Sequence, residues 1–308
     1  MVLLDIGFTG SDQMHGFLLG TRQTLLETFD GGKTWSPRNI SAASDDGFNY
    51  RFNAISFAGD EGFIVGKPSI LLHTSDGGKN WERVPLSAKL PGTPMSITAL
   101  GNGRAEMTTD QGAIYATDNA AYTWTAAVQE TVDATLNRTV SSGISGASYY
   151  EGTFSQIARS GSGEYVAVSS RGNFFMTWAP GQTYWEPHNR PVGRRIQNMG
   201  WSLDDKLWLS TRGGDVLFAD ESGVQERFAP AKLGSRGFGI LGVGFRNDQE
   251  GFAVGGSGTL LKTGDGGKSW KRDRQTDEIA GNLYAVKFFG AKQGFILGNA
   301  GILLRYIA

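Results

Sequence analysis

Thr28-Phe-Asp-Gly-Gly-Lys-Thr-Trp35 returns twice almost unchanged, as Thr74-Ser-Asp-Gly-Gly-Lys-Asn-Trp81 and Thr263-Gly-Asp-Gly-Gly-Lys-Ser-Trp270. It returns once eroded, as Thr117-Asp-Asn-Ala-Ala-Tyr-Thr-Trp124. A unit that recurs at a fixed spacing signals a repeat architecture. Each octet closes the same series of three apolar runs. The clearest copy reads Asn53-Ala-Ile-Ser-Phe57, Gly62-Phe-Ile-Val-Gly66 and Ile70-Leu-Leu-His-Thr74, then the turn and Trp81. Copies beginning at Leu3 and Ile240 follow it closely, and weaker ones begin at Phe154 and Ile196. The last copy, from Leu283, has three runs where the others have four. The closing aromatics Trp35, Trp81, Trp124, Trp185, Phe228 and Trp270 are roughly 42–46 residues apart, except for one interval of about 61. Four short strands per unit at that spacing predict propeller blades.

The reading is therefore all-β: one seven-bladed β-propeller domain over residues 1–308, with a Ser/Gly-rich insertion at about 129–152 between the third and fourth blades. The last blade lacks its fourth strand, which would leave the Ile302–Tyr306 strand as an exposed edge, and trimming of residues upstream is expected. A stacked solenoid is the main alternative. The octet is the Asp box of BNR-like repeats. Asp30, Asp76 and Asp265 are expected to accept hydrogen bonds from turn N–H groups, the glycines to supply positive φ, and Trp35, Trp81 and Trp270 to anchor the fourth strand in the core. One carboxylate per turn is far short of a calcium cage, so the motif reads as structural and no metal site is expected.

Composition removes several functions. The chain has no cysteine, so no disulfide, thiolate metal site or cysteine nucleophile, and only His15, His73 and His188 as histidines. No apolar run approaches the roughly 20 residues of a membrane span. A net charge of −1 and a pI near 6.3 argue against nucleic-acid binding. Glycine, at 45 of 308 residues, is about twice its usual share, which fits many tight turns.

Blade topology sorts the charges. Arg22, Arg171 and Arg212 fall in turns between second and third strands, and Arg51, Arg190, Arg194, Arg195 and Arg236 fall in links between blades. All eight are expected on one face. Asp30, Asp60, Glu61, Asp76, Asp204, Asp205, Asp248 and Asp265 are expected on the other. Arg190-Pro-Val-Gly-Arg-Arg195 puts three guanidiniums in six residues of a stiff link, and guanidinium forks suit carboxylates. An anion-binding patch follows from this reading. His188 is a candidate to join it, and Tyr149, Tyr150 and Phe154 either add apolar contact there or staple the insertion to the rim.

The stretches Gly20-Thr-Arg-Gln-Thr-Leu-Leu-Glu-Thr28, Ser170-Arg-Gly-Asn-Phe-Phe-Met-Thr-Trp178 and Arg190-Pro-Val-Gly-Arg-Arg195 resemble the photosystem II stability/assembly factor family of oxygenic phototrophs over essentially the whole chain. The resemblance implies a non-catalytic, cofactor-free assembly factor on the lumenal side of the thylakoid membrane, monomeric and peripheral to the membrane through its client. It implies binding of newly made D1, including its precursor, and of reaction-centre assembly intermediates, during both assembly and repair. The family's basic patch would map onto Arg171, Arg194, Arg195 and Arg212, with Arg190 and Arg236 alongside. The family's targeting segment and Trp-containing first strand have no counterpart in this sequence. Two other readings compete. A generic Asp-box propeller would bind an unrelated acidic peptide. A sialidase-like glycosidase would need a Tyr–Glu nucleophile pair, but Tyr184 and Glu186 alternate about Trp185 in a packing pattern.

Overall fold

The computed structural model describes residues 1–44, 47, 49–128, 153–233 and 239–307. The insertion expected at 129–152, with Tyr149 and Tyr150, and the link residue Arg236 lie outside the described residues. The chain builds seven β-sheets in succession, the blades of an all-β seven-bladed propeller. They fall into two compact units, residues 1–131 and 132–308.

The first unit holds three four-stranded antiparallel blades. Blade one is β1 (Leu3–Thr9), β2 (His15–Gly20), β3 (Leu25–Thr28) and β4 (Ser36–Pro37). Blade two is β5 (Arg51–Ala58), β6 (Glu61–Lys67), β7 (Ile70–Thr74) and β8 (Glu82–Arg83). Blade three is β9 (Pro94–Gly101), β10 (Arg104–Thr109), β11 (Ile114–Thr117) and β12 (Thr125–Ala126). Second strands are apolar without alternation because both faces are covered: Gly62 through Gly66 are all buried. The core between the first two blades joins Phe17, Leu19 and Leu25 to Phe52, Ile55, Ile64 and Leu72.

The second unit begins with blade four: β13 (Phe154–Arg159), β14 (Tyr165–Ser169), β15 (Phe174–Trp178) and β16 (Glu186–Asn189). Blade five is β17 (Ile196–Trp201), β18 (Lys206–Thr211), β19 (Val216–Ser222) and β20 (Phe228–Pro230). Then come β21 (Lys232–Leu233), β22 (Ile240–Phe245), β23 (Gly251–Gly255), β24 (Leu260–Thr263) and β25 (Ser269–Arg272). Blade six thus gains a fifth strand, since β21 pairs in parallel with β25, where the repeat pattern predicts four. Blade seven has three strands, β26 (Leu283–Phe289), β27 (Gln293–Gly298) and β28 (Leu303–Arg305). Between blades four and five, Val166, Val168 and Phe175 pack on Ile196, Met199, Leu207 and Leu209.

The Asp-box turns are closed hydrogen-bond rings. Asp76 Oδ1 accepts from the Thr74 hydroxyl at 2.8 Å and from the Asn80 N–H at 2.9 Å, while Oδ2 accepts from the Asn80 side-chain amide at 2.7 Å. Asp30 and Asp265 repeat the ring with Thr28 and Thr34, and with Thr263 and Ser269. The residue before the tryptophan is therefore a side-chain donor in these three boxes, which the sequence reading passed over. These bonds favour the ionised form. The Asn80 backbone N–H, then its side-chain amide, lower Asp76 to about 2, and the Thr34 and Ser269 hydroxyls lead the lowering of Asp30 and Asp265. Only Trp270 lies within a fourth strand and is fully buried. Trp35 and Trp81 sit one residue before theirs and are half-buried, packed by their ring edges against phenylalanines.

Candidate functional site

The arginines of blades four and five are assembled by three short segments: the β14–β15 turn, the link from β16 to β17, and the β18–β19 turn. In the first, the Ser169 hydroxyl accepts from the N–H groups of Asn173 and Phe174 at 3.1 and 3.3 Å, which curls the chain at Arg171. The Gly172 carbonyl then accepts from the Ile196 N–H at 2.8 Å, tying this turn to the end of the link. Gly172 has φ +71, and a methyl there would overlap the Ile196 carbonyl oxygen. Glycine is required twice over, by conformation and by clearance.

In the β18–β19 turn, the buried Thr211 hydroxyl donates to Asp215 Oδ2 at 2.8 Å and accepts from the N–H groups of Gly213 and Asp215 at 3.2 Å each. The Arg212 N–H donates to the Arg195 carbonyl at 2.9 Å. Ile196 pairs with Thr211 at the end of the β17–β18 ladder, so one step outward Arg195 stands opposite Arg212. Arg194 lies over Gly213: its Nη1 donates to Asp215 Oδ2 at 3.2 Å and leans toward the Gly213 carbonyl at 3.4 Å. A methyl on Gly213 would collide with the Arg194 guanidinium.

Arg171, Arg194, Arg195 and Arg212 are exposed and Arg190 is half-buried. Among the described residues, the side chains of Arg190, Arg195 and Arg212 have neither hydrogen-bond nor ion-pair partners, whereas Arg194 is engaged by Asp215. The segments thus bring together Arg171, Arg194, Arg195 and Arg212. Arg22, in the β2–β3 turn, and Arg51, heading β5, are exposed on the first unit. Three residues that build the site, Gly172, Gly213 and Asp215, escaped the sequence reading. Their signal is the short Thr-Arg-Gly-Gly-Asp and Ser-Arg-Gly-Asn turns, in which a capping side chain and a glycine flank each arginine.

Two expectations are corrected. His188 does not join the arginines. It is buried against Phe175 with ring centroids 4.8 Å apart, and its nitrogens are taken by Thr177 Oγ1 at 2.6 Å and Glu226 Oε1 at 2.8 Å. Phe154 is core, packed edge-on against the buried Trp185 at 5.4 Å. His73 is packed as expected, buried between the carboxylates of Glu61 and Glu82. Asp205, expected on the acidic face, serves blade-to-blade contact, accepting from the N–H groups of Gly161 and Ser162 at 2.8 and 3.2 Å.

A family model described as "Photosynthesis system II assembly factor YCF48" matches residues 1–307. A relative named photosystem II stability/assembly factor HCF136, chloroplastic, of Arabidopsis thaliana is 62% identical over 307 residues, covering 100% of this chain and 76% of that protein. Among solved structures, YCF48 from Cyanidioschyzon merolae superposes with a TM-score of 0.89 at 47% identity, covering 99% of this chain and 95% of that one. A structure of YCF48 bound to D1 peptide superposes with a TM-score of 0.86 at 44% identity, covering 100% of this chain and 93% of that one.

Proposed function

The chain belongs to the photosynthesis system II assembly factor YCF48 family, and from that membership we propose that it is a non-catalytic assembly factor that binds D1. The client is newly made D1, including its precursor form, together with reaction-centre assembly intermediates, and the work covers both assembly and repair. The protein acts on the lumenal face of the thylakoid membrane and is peripheral to it through the client. Among the described residues no helix is long and apolar enough to cross a membrane.

The binding surface is the arginine face of blades four and five: Arg171, Arg190, Arg194, Arg195 and Arg212, with Arg236 alongside. The observation that carries this reading is the convergence of two turns on one link, which brings the exposed Arg171, Arg194, Arg195 and Arg212 onto neighbouring segments, with Asp215 engaging Arg194. A D1-binding relative 44% identical over the whole chain supports the choice of client. The interaction needs no chemistry. Guanidinium forks hold carboxylates of the client, each such bond contributing on the order of 1.5–3 kcal/mol where water is excluded and less at the rim.

Photo-crosslinking with synthetic D1 peptides from its lumenal segments, each carrying a benzophenone beside an acidic residue, tests the placement. Adducts mapping to 171–173, 190–196 and 211–215 are expected. Adducts confined to other surfaces would overturn it.

A further inference from the structure

The arginines of this face are not equivalent, and we propose that the pair Arg195–Arg212 forms the carboxylate site while Arg194 is a positioning residue locked down by Asp215. The inference rests on the reading of this face as the D1-binding surface and adds a division of labour within it.

The first observation is where the two charges stand. Directly opposed residues of an antiparallel pair have Cβ atoms roughly 5 Å apart, and like charges placed so are destabilising. Arg195 and Arg212 occupy such a rung, immediately outside the Ile196–Thr211 pair. The other blades of the second unit carry uncharged residues at the equivalent rung: Thr153 with Ser170, Gly239 with Gly256, and Asn282 with Asn299. In the first unit blade two repeats the cationic device with Arg51 opposite Lys67. Neither Arg195 nor Arg212 has an acidic partner among the described residues. Two forks at this spacing, exposed and unneutralised, suit one carboxylate held between them.

The second observation is that the nearest acid is already committed. Asp215 accepts from Arg194 Nη1 and from the Thr211 hydroxyl through the same oxygen. That draws the link onto the turn, and Gly213 leaves room for the guanidinium to lie flat. Arg194 thereby fixes the backbone from which Arg195 projects, and it engages the same Asp215 oxygen that the Thr211 hydroxyl holds.

The test is fluorescence anisotropy of a dye-labelled acidic D1 peptide that the parent protein binds, titrated at two salt concentrations. Arg195→Ala and Arg212→Ala should each weaken binding about tenfold or more and flatten its salt dependence. Lysine at either position should restore little, because a point charge cannot reproduce the fork. Arg194→Ala should cost no more than about fivefold with the salt dependence kept, Arg194→Lys should restore it, and Asp215→Asn should add nothing to Arg194→Ala in the double variant. Arg212→Thr should melt no lower than the parent, as relief of a like-charge pair requires. A loss on Arg194→Ala as large as on Arg195→Ala, or tighter binding on Asp215→Asn, would overturn the division of labour and leave the face intact as the binding surface. Unchanged binding in all of Arg195→Ala, Arg212→Ala and Arg194→Ala would overturn the surface itself.

Discussion

Asn119 stands where three other blades carry the Asp-box aspartate, and it keeps the ring: its Oδ1 accepts from Thr117 and from the Thr123 N–H, and its amide donates to the Thr123 hydroxyl. The geometry is thus separable from the charge. Asp76 is lowered from 3.8 to about 2, so its ionised form stabilises the fold above the unfolded value of 3.8, and that contribution is lost as pH falls through about 2. Asp30 and Asp265 act in the same direction. Melting temperatures followed by circular dichroism should fall below pH 4, and the acid limb should be shallower in Asp76→Asn, which retains the ring as Asn119 does. The eroded box has a second mark. Ala120 and Ala121 hold φ +57 and +71 where the intact boxes have glycines. Ala120→Gly should raise stability by about 1 kcal/mol in urea unfolding, less the entropy that glycine returns to the unfolded chain.

At the scale of the elements, strand existence was legible because each blade repeats an apolar grammar with its own turn chemistry, and second strands advertise burial on both faces. Four things were not legible. β21 pairs in parallel with a strand some 37 residues away, and no local turn signal marks such a pairing. Trp35 and Trp81 stop short of their two-residue fourth strands, since an edge strand that short is set by ladder bonds rather than by side-chain pattern. The clustering of arginines was legible from topology, but the fate of each was not. Arg194 and Arg195 are adjacent in sequence, and only what lies across the turn, Asp215 and Gly213 for the first and Arg212 for the second, makes one engaged and the other free. His188, next to the link, turned out to belong to Thr177, Glu226 and the core, because its neighbours across the sheet decide its side and the sequence does not name them. The hinge of this assembly is Gly172. Gly172→Ala should destabilise by at least about 2 kcal/mol in chemical denaturation, and the residual folded protein should bind D1 peptide more weakly because the link is pushed off the turn.

For the whole molecule, a nearly neutral chain with a net charge of −1 places four exposed arginines on the turns and link of two successive blades, while Asp-box carboxylates are consumed in their own turns. Affinity for an acidic client should therefore fall with ionic strength, since exposed pairs are screened over about 8–10 Å at physiological salt. Salt-independent affinity, read by calorimetry, would shift the weight to apolar contact. The most direct measurement is calorimetric titration of the lumenal C-terminal segment of the D1 precursor into the parent protein and into an Arg171→Ala/Arg195→Ala/Arg212→Ala variant, each shown by circular dichroism and melting to be folded. Binding by the parent and its loss in the folded variant are expected. Undiminished binding by that variant would remove these arginines from the D1 site.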